Sequence, residues 1–183
     1  NSIEWVSKQN GGLITRFEKK KVFNSDGEKI KGDFIHIIPE QKAGKIIFDS
    51  KLCNNDWCTV NPQTFQLLNF NDIYVVGDSV DAGDMPKSAF SAESQAKILS
   101  LNLINRILQK SYLNPVFLNT CYSFSSNNRA FSITSWYKLN TMKDRIVSLG
   151  SSQSSDDGLN DERIREAKEA FGWYESITKT LYG

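Results

Sequence analysis

The chain has 183 residues, with 22 Lys and Arg against 21 Asp and Glu and a hydrophobic share of 39%. That length carries one or two domains with a sizeable core. The net charge of +1 gives no reason for a nucleic acid or an acidic membrane as partner, and no apolar run reaches the length of a membrane span.

His36 is the only histidine, and the three cysteines, Cys53, Cys58 and Cys121, form no CxxC pair. This argues against a zinc site. The odd count leaves at least one cysteine without an internal disulfide partner. The chain starts on Asn1, and "NSIEWVSKQNGG" has no basic-then-apolar leader pattern. It reads as a mature product or as a piece of something longer.

Residues 1–38 read as β-rich: short β-branched and aromatic runs are separated by turn chemistry. Ser25-Asp26-Gly27-Glu28 is a hairpin turn by composition. "DFIHIIP" reads as a strand ended by Pro39, with His36 a packed or edge residue. Residues 40–72 are irregular. Ile73–Val76 is a short continuous apolar run, which fits a strand covered on both faces, as in a parallel α/β sheet. Ser88–Lys110 is a long helix, with Ala89, Ala92, Ala96, Leu99, Leu103 and Ile107 recurring at spacings of three and four. Leu101, Ile104 and Leu108 widen its apolar surface, and Pro86 suits its first turn. "LNTCYSFS", "RAFSITSWYKL" and "DRIVSL" are three strands of a small antiparallel sheet, and "GSSQSSDDG" is a surface loop. The tail from Asn160 to Tyr182 is helical, with Asn160 as N-cap and Asp161 and Glu162 in its first turn.

The stretch "IYVVGDSVDAGDMPKSAFSAESQAK" carries the chemistry. In open α/β sheets ligands sit beyond the carboxyl ends of strands. Asp78 would project there, where a carboxylate accepts hydrogen bonds from sugar or polyol hydroxyls. The helix start after Met85-Pro86 offers backbone N–H groups and a positive dipole end, and Lys87 adds a full charge. Taken alone, Gly77-Asp78 reads as a capped turn and Lys87 as a surface lysine. On the terminal helix, Ile164, Ala167, Phe171, Tyr174 and Leu181 form an apolar stripe. At about 100° per residue, Trp173 points roughly 120° from its centre. A tryptophan there calls for a second buried surface or a flat ligand. Tyr122 and Trp136 read as core or interface aromatics.

The same stretch resembles the second flavin-contacting segment of flavoproteins with two dinucleotide-binding domains. More closely, the chain resembles the flavoprotein subunit of flavocytochrome c sulfide dehydrogenase. The matching words run in order: "IIPEQKAGKI" at 37–46, "DWCTVNPQTF" at 56–65, "VVGDSVDAGDMPKSAFSAESQAK" at 75–97, "LNTCYS" at 118–123, and "GWYESITKTLYG" at the end. They span nearly the whole chain. No GxGxxG is present, and members of the family are about twice this length or more, so the resemblance implies a carboxyl-terminal piece that is inactive in isolation. The fold implied is α/β and α+β, ending in a small antiparallel sheet plus helices. Residues 1–48 would close an NAD-domain-like unit, 49–110 would complete the FAD domain, and 111–183 would form the carboxyl-terminal interface domain.

The resemblance implies FAD as cofactor, hydrosulfide as substrate, a cytochrome c subunit as partner, and the bacterial periplasm as location. Cys121 lies in the word that holds a redox cysteine. Hydrosulfide attacking a disulfide beside the flavin gives a persulfide and a thiolate. Two electrons then pass to the flavin and on, singly, to haem. Gly77, Asp78, Met85, Pro86, Lys87 and Ser88 fall in the flavin-contacting segment, and Trp173 in the terminal "WY" expected near the isoalloxazine ring. Cys58 matches a family cysteine with no redox role to carry over, and Cys53 departs from the pattern. The two are either ordinary thiols or a local disulfide.

Two other readings stand beside this one. A sulfide:quinone reductase or NADH oxidoreductase of the same superfamily is one, although the mixed-charge terminal helix disfavours membrane docking. The other is a non-catalytic docking or dimerisation module, since this domain is often the dimer interface in related reductases.

Overall fold

The computed structural model describes residues 3–53, 55–155 and 160–183. The chain divides into two compact units, Asn1–Gln41 and Lys42–Gly183. Each carries one antiparallel three-stranded sheet, and the second also carries the helices. The fold is α+β, as expected of the carboxyl-terminal region. Among the described residues no helix is long and apolar enough to cross a membrane.

In the first unit, strands β1 (Ile14–Glu18), β2 (Lys21–Asn24) and β3 (Lys29–Lys31) pair in chain order. The expected hairpin turn joins β2 to β3. Asn24 builds it: its side-chain oxygen accepts from the Asp26 and Glu28 N–H groups at 3.1 and 2.8 Å. Gly27 supplies the left-handed residue at φ 80°. "DFIHIIP" is not a strand. Its residues are irregular and His36 is exposed. The Gly32 N–H turns back to the Lys20 carbonyl, and the isoleucines that follow have no ladder partner. Strand propensity needs such a partner to be realised.

The second unit begins with a largely irregular stretch containing one short helix, α1 (Lys45–Asp49). Ile73–Val76, expected as a strand of a parallel sheet, is half-buried irregular backbone. It bonds antiparallel to the segment just before it: Leu67 N–H to the Ile73 carbonyl at 2.9 Å, and Val75 N–H to the Phe65 carbonyl at 3.0 Å. An apolar run announces burial but not the element that provides it. Phe65 anchors this region. Its ring is fully buried and meets that of Phe117 edge-on at 5.8 Å. Phe65 holds a left-handed backbone at φ 57°. That costs about 1–2 kcal/mol, offset by burial of the ring at about 1.5–3 kcal/mol.

Helix α2 spans Ala89–Ile107, one residue shorter at its start and three at its end than the sequence suggests. Ser88 is its N-cap, accepting from the Ser91 N–H at 3.1 Å. Pro86 therefore lies outside the first turn, because the serine hydroxyl supplies what a cap requires. The buried side chains of α2 are Ser91, Gln95 and Asn102, whereas Leu101, Ile104, Ile107 and Leu108 are exposed. Ala92, Ala96, Leu99 and Leu103 of the expected stripe are half-buried and Leu99 packs against the core, but the most buried line lies beside them, where α2 meets backbone whose polar groups need partners. Gln95 accepts from the Gly77 N–H at 2.7 Å. Asn102 donates to the Gln63 carbonyl at 2.7 Å and accepts from the Leu113 N–H at 2.8 Å.

The three carboxyl-terminal strands form as expected: β4 (Val116–Ser126), β5 (Arg129–Leu139) and β6 (Ile146–Gln153), antiparallel in chain order. Gly150–Gln153, expected in a loop, extends β6. A register shift opposite Trp136 and Tyr137, with Gly150 at φ 144°, absorbs the irregularity as a bulge. Ser154 and Ser155 of that expected loop are irregular, and its positions 156–158 lie outside the described residues. Helix α3 (Asn160–Tyr182) follows, with Asp161 and Glu162 in its first turn. Asn160 is its first helical residue; the position before it, where a cap would sit, is outside the described residues.

The buried residues of α3 are Glu166, Ala167 and Ala170, with Trp173 and Ile177 half-buried on the same line. Phe171, Tyr174 and Leu181 are exposed. Trp173 thus lies on the packed face, not off it. Small alanines let the helix approach the sheet, and Trp173 continues their spacing toward α2.

Candidate flavin-binding groove

Strand alternation places Asn119 and Cys121 on one face of β4. Asn119 is buried, and Cys121 is an exposed free thiol. The Ser88 cap of α2 donates its hydroxyl to the Asn119 side-chain oxygen at 2.5 Å, and Ser91 donates to the same oxygen at 3.2 Å. The Asn119 amide nitrogen donates to the Cys121 sulfur at 3.3 Å. Ser94 adds a further tie, accepting from the Leu118 N–H at 3.1 Å. The start of α2 is thereby fixed against the strand that carries the cysteine.

Helix α3 closes the other side. Trp173 stacks on Phe90 of α2, with ring centroids 5.3 Å apart and planes 19° apart. Its indole N–H donates to Glu93 at 3.1 Å, and Glu93 also pairs with Lys97 at 2.6 Å. Phe124 and Phe171 meet at 5.1 Å. Together these enclose a groove of about 460 Å³ lined by Ser88, Phe90, Cys121, Tyr122, Phe171 and Trp173, among others. Burial pushes the Tyr122 hydroxyl above its ordinary pKa, and the carboxylates of Glu169 and Glu166 push it the same way. The phenol is a neutral donor at neutral pH.

Of the residues singled out in the sequence, the structure brings Cys121, Ser88 and Trp173 together around this groove. Gly77, Asp78, Met85, Pro86 and Lys87 do not line it. The Gly77 N–H is taken by Gln95 at 2.7 Å, and its bare Cα fits beside Ala92, where an added Cβ would come to 3.3 Å. Asp78 and Pro86 are exposed. Met85 belongs to the core. The Lys87 ammonium sits 3.7 Å from the Trp57 ring centroid and donates to the Val80 carbonyl at 2.7 Å. Burial there holds its pKa below the ordinary lysine value, against the opposing pull of Asp78 and Asp81. Cys53 and Cys58 lie apart from the groove as free thiols.

Residues 113–181 match the family model of flavocytochrome c sulphide dehydrogenase, flavin-binding. This carboxyl-terminal portion of the chain is similar to that family. The match covers β4, β5, β6 and α3 and thus two of the groove's walls, β4 with Cys121 and α3 with Trp173. The likeness is to a flavin-binding segment of an oxidoreductase. The groove fits such a cofactor: flat aromatic side chains line it, its size suits a ring system rather than a whole dinucleotide, and a sulfur stands at its wall.

Asn119 and Phe90 went unread in the sequence, and Tyr122 was assigned to core or interface. For Asn119 a signal existed. Asparagine is disfavoured inside a strand, and it stands two residues from the cysteine. Phe90 had no such signal, since only the packing of α2 against α3 gives it a role.

Proposed function

We propose that this chain is part of a periplasmic sulfide-oxidising flavoprotein that takes two electrons from hydrosulfide through a redox disulfide to FAD and on to a cytochrome c subunit. The observation that carries this reading is one exposed cysteine, Cys121, on the wall of an aromatic groove within the segment matching the flavin-binding family. Bound FAD supplies acceptance of an electron pair and its release in single steps.

The chain's own residues do the rest. Cys121 forms one half of a disulfide with a second cysteine outside this segment, since Cys53 and Cys58 lie away from the groove. Hydrosulfide attacks one sulfur, an S–S bond forms to it, and the original S–S bond breaks. One cysteine then carries a persulfide and the other a thiolate, which holds the electron pair destined for the ring. Trp173 and Phe90, stacked on each other, would offer that ring an aromatic wall, and the neutral Tyr122 hydroxyl would be available to it as a hydrogen-bond donor. Gly77, Asp78, Met85, Pro86 and Lys87 serve the flavin only beyond this groove, since none of them lines it. The periplasm allows such a disulfide to persist. The exposed outer side of α3 suits the haem subunit or a second copy.

The test is sulfide-dependent reduction of cytochrome c by the flavin-loaded protein. Cys121→Ser is expected to lower turnover at least about a hundredfold while the flavin absorption band is retained. Unchanged turnover in that variant would remove Cys121 from the mechanism. Reduction of a quinone in preference to cytochrome c would move the protein to the quinone reductases.

A further inference from the structure

We propose that Asn119 is the positioning residue of Cys121, aiming the sulfur into the groove and favouring its anionic form; this rests on the reading of Cys121 as the redox cysteine. Asn119 is 3% exposed. A polar side chain so deeply buried is retained only where its hydrogen bonds are made. Here every partner serves one orientation. The Ser88 hydroxyl oxygen already accepts from the Ser91 N–H, so its hydrogen is free to go to Asn119. The Ser91 hydroxyl donates to the same Asn119 atom. With both hydroxyls donating to the amide oxygen, the NH₂ faces Cys121. The cap of α2 thus sets which end of the amide meets the sulfur.

The chemical consequence follows from the acceptor. A neutral thiol is a weak hydrogen-bond acceptor, whereas a thiolate is a strong one. An immobilised N–H donor therefore stabilises the charged sulfur more than the neutral one, and needs no reorganisation when the charge appears. When the Cys121 disulfide opens with its electron pair on this sulfur, the donor is already in place.

The experiment is alkylation of Cys121 by iodoacetamide across pH 5–10, in the full chain reduced beforehand and freed of reductant, without sulfide, followed by peptide mass mapping. Asn119→Asp keeps the shape and still accepts from both serines, but removes the donor and adds a like charge. It is expected to move the pH of half-maximal alkylation up by about one unit and to slow alkylation at pH 7 about tenfold. Asn119→Ser, which keeps polarity but loses the aimed amide, should move it in the same direction by less. An unchanged profile in folded Asn119→Asp overturns the proposal. Should that variant not fold, an unchanged profile in Asn119→Ser does so. Since no turnover is read, this outcome is separable from failure of the sulfide reaction, which Cys121→Ser reports.

Discussion

Cys58 and Cys121 are the same side chain in opposite surroundings. Cys58 is fully buried in the core, and its thiol is pushed up to about 11, first by burial and then by neighbouring Cys53. Cys121 is exposed at the groove. The thiolate is the nucleophile, so Cys58 is inert at neutral pH. At pH 8, iodoacetamide is expected to label Cys121 first and to leave Cys58 unlabelled until the chain unfolds, as peptide mapping over time would show. Labelling of Cys58 at the rate of Cys121 would contradict the burial. The linkage has a definite sign. A raised thiol contributes stability that is complete below its ordinary value of 9.0 and is lost as pH rises toward 11. Nothing in the sequence spacing separates these two cysteines, and only family resemblance singled out Cys121. Burial is a property of the packed chain, and each cysteine stands in an equally mixed stretch.

Helix α2 shows which parts of an element are legible. Its existence and approximate span follow from spacing, because apolar residues every three or four positions leave no other regular element. Its most buried line does not follow, because Ser91, Gln95 and Asn102 are buried beside the half-buried Leu99 and Leu103, while Leu101 and Leu108 end up exposed. Periodicity reports where apolar residues stand, not whether the opposing surface is apolar. Here that surface is backbone in need of partners. The helix end was equally hidden. Gln109 adopts φ 53°, the Lys110 N–H reaches the Asn105 carbonyl at 2.8 Å, and the Gln109 N–H reaches that of Arg106 at 3.2 Å. This is a Schellman closure with a side chain at the left-handed position that usually takes glycine. Gln109→Gly relieves the strained backbone and removes an exposed side chain of no packing value. It is expected to stabilise the chain by about 0.5–1 kcal/mol, after glycine's greater unfolded-state entropy is subtracted. Urea midpoints of the two proteins decide this, and a lower midpoint in the variant would show that Gln109 makes contacts worth more than its strain.

At the scale of the folded unit, the groove depends on α3 staying on the sheet, and Glu166 is the pin. Its carboxylate is buried and accepts from the Ser132 hydroxyl at 2.9 Å, from the Ser154 hydroxyl, and from Arg163 at 3.1 Å. Burial alone would raise its pKa. The hydrogen bonds from Ser154, Ser132 and Arg163, with the guanidinium charge, outweigh that and hold it below its ordinary 4.5. A lowered carboxyl contributes stability that is present above 4.5 and is lost as pH falls through the lower folded value. Glu166→Gln keeps the volume but leaves the half-buried Arg163 guanidinium without its counter-charge, at a cost of about 1–3 kcal/mol near neutrality. The gap should narrow as pH falls from 5 toward 3, because protonation removes from the parent what the variant never had. Urea midpoints at pH 7, 5, 4 and 3 would trace this, with converging curves expected. Parallel curves would mean that shape alone, through Ala167, Ala170 and the Trp173–Phe90 stack, holds α3 in place. The groove would then be held by packing and would keep its walls in acid.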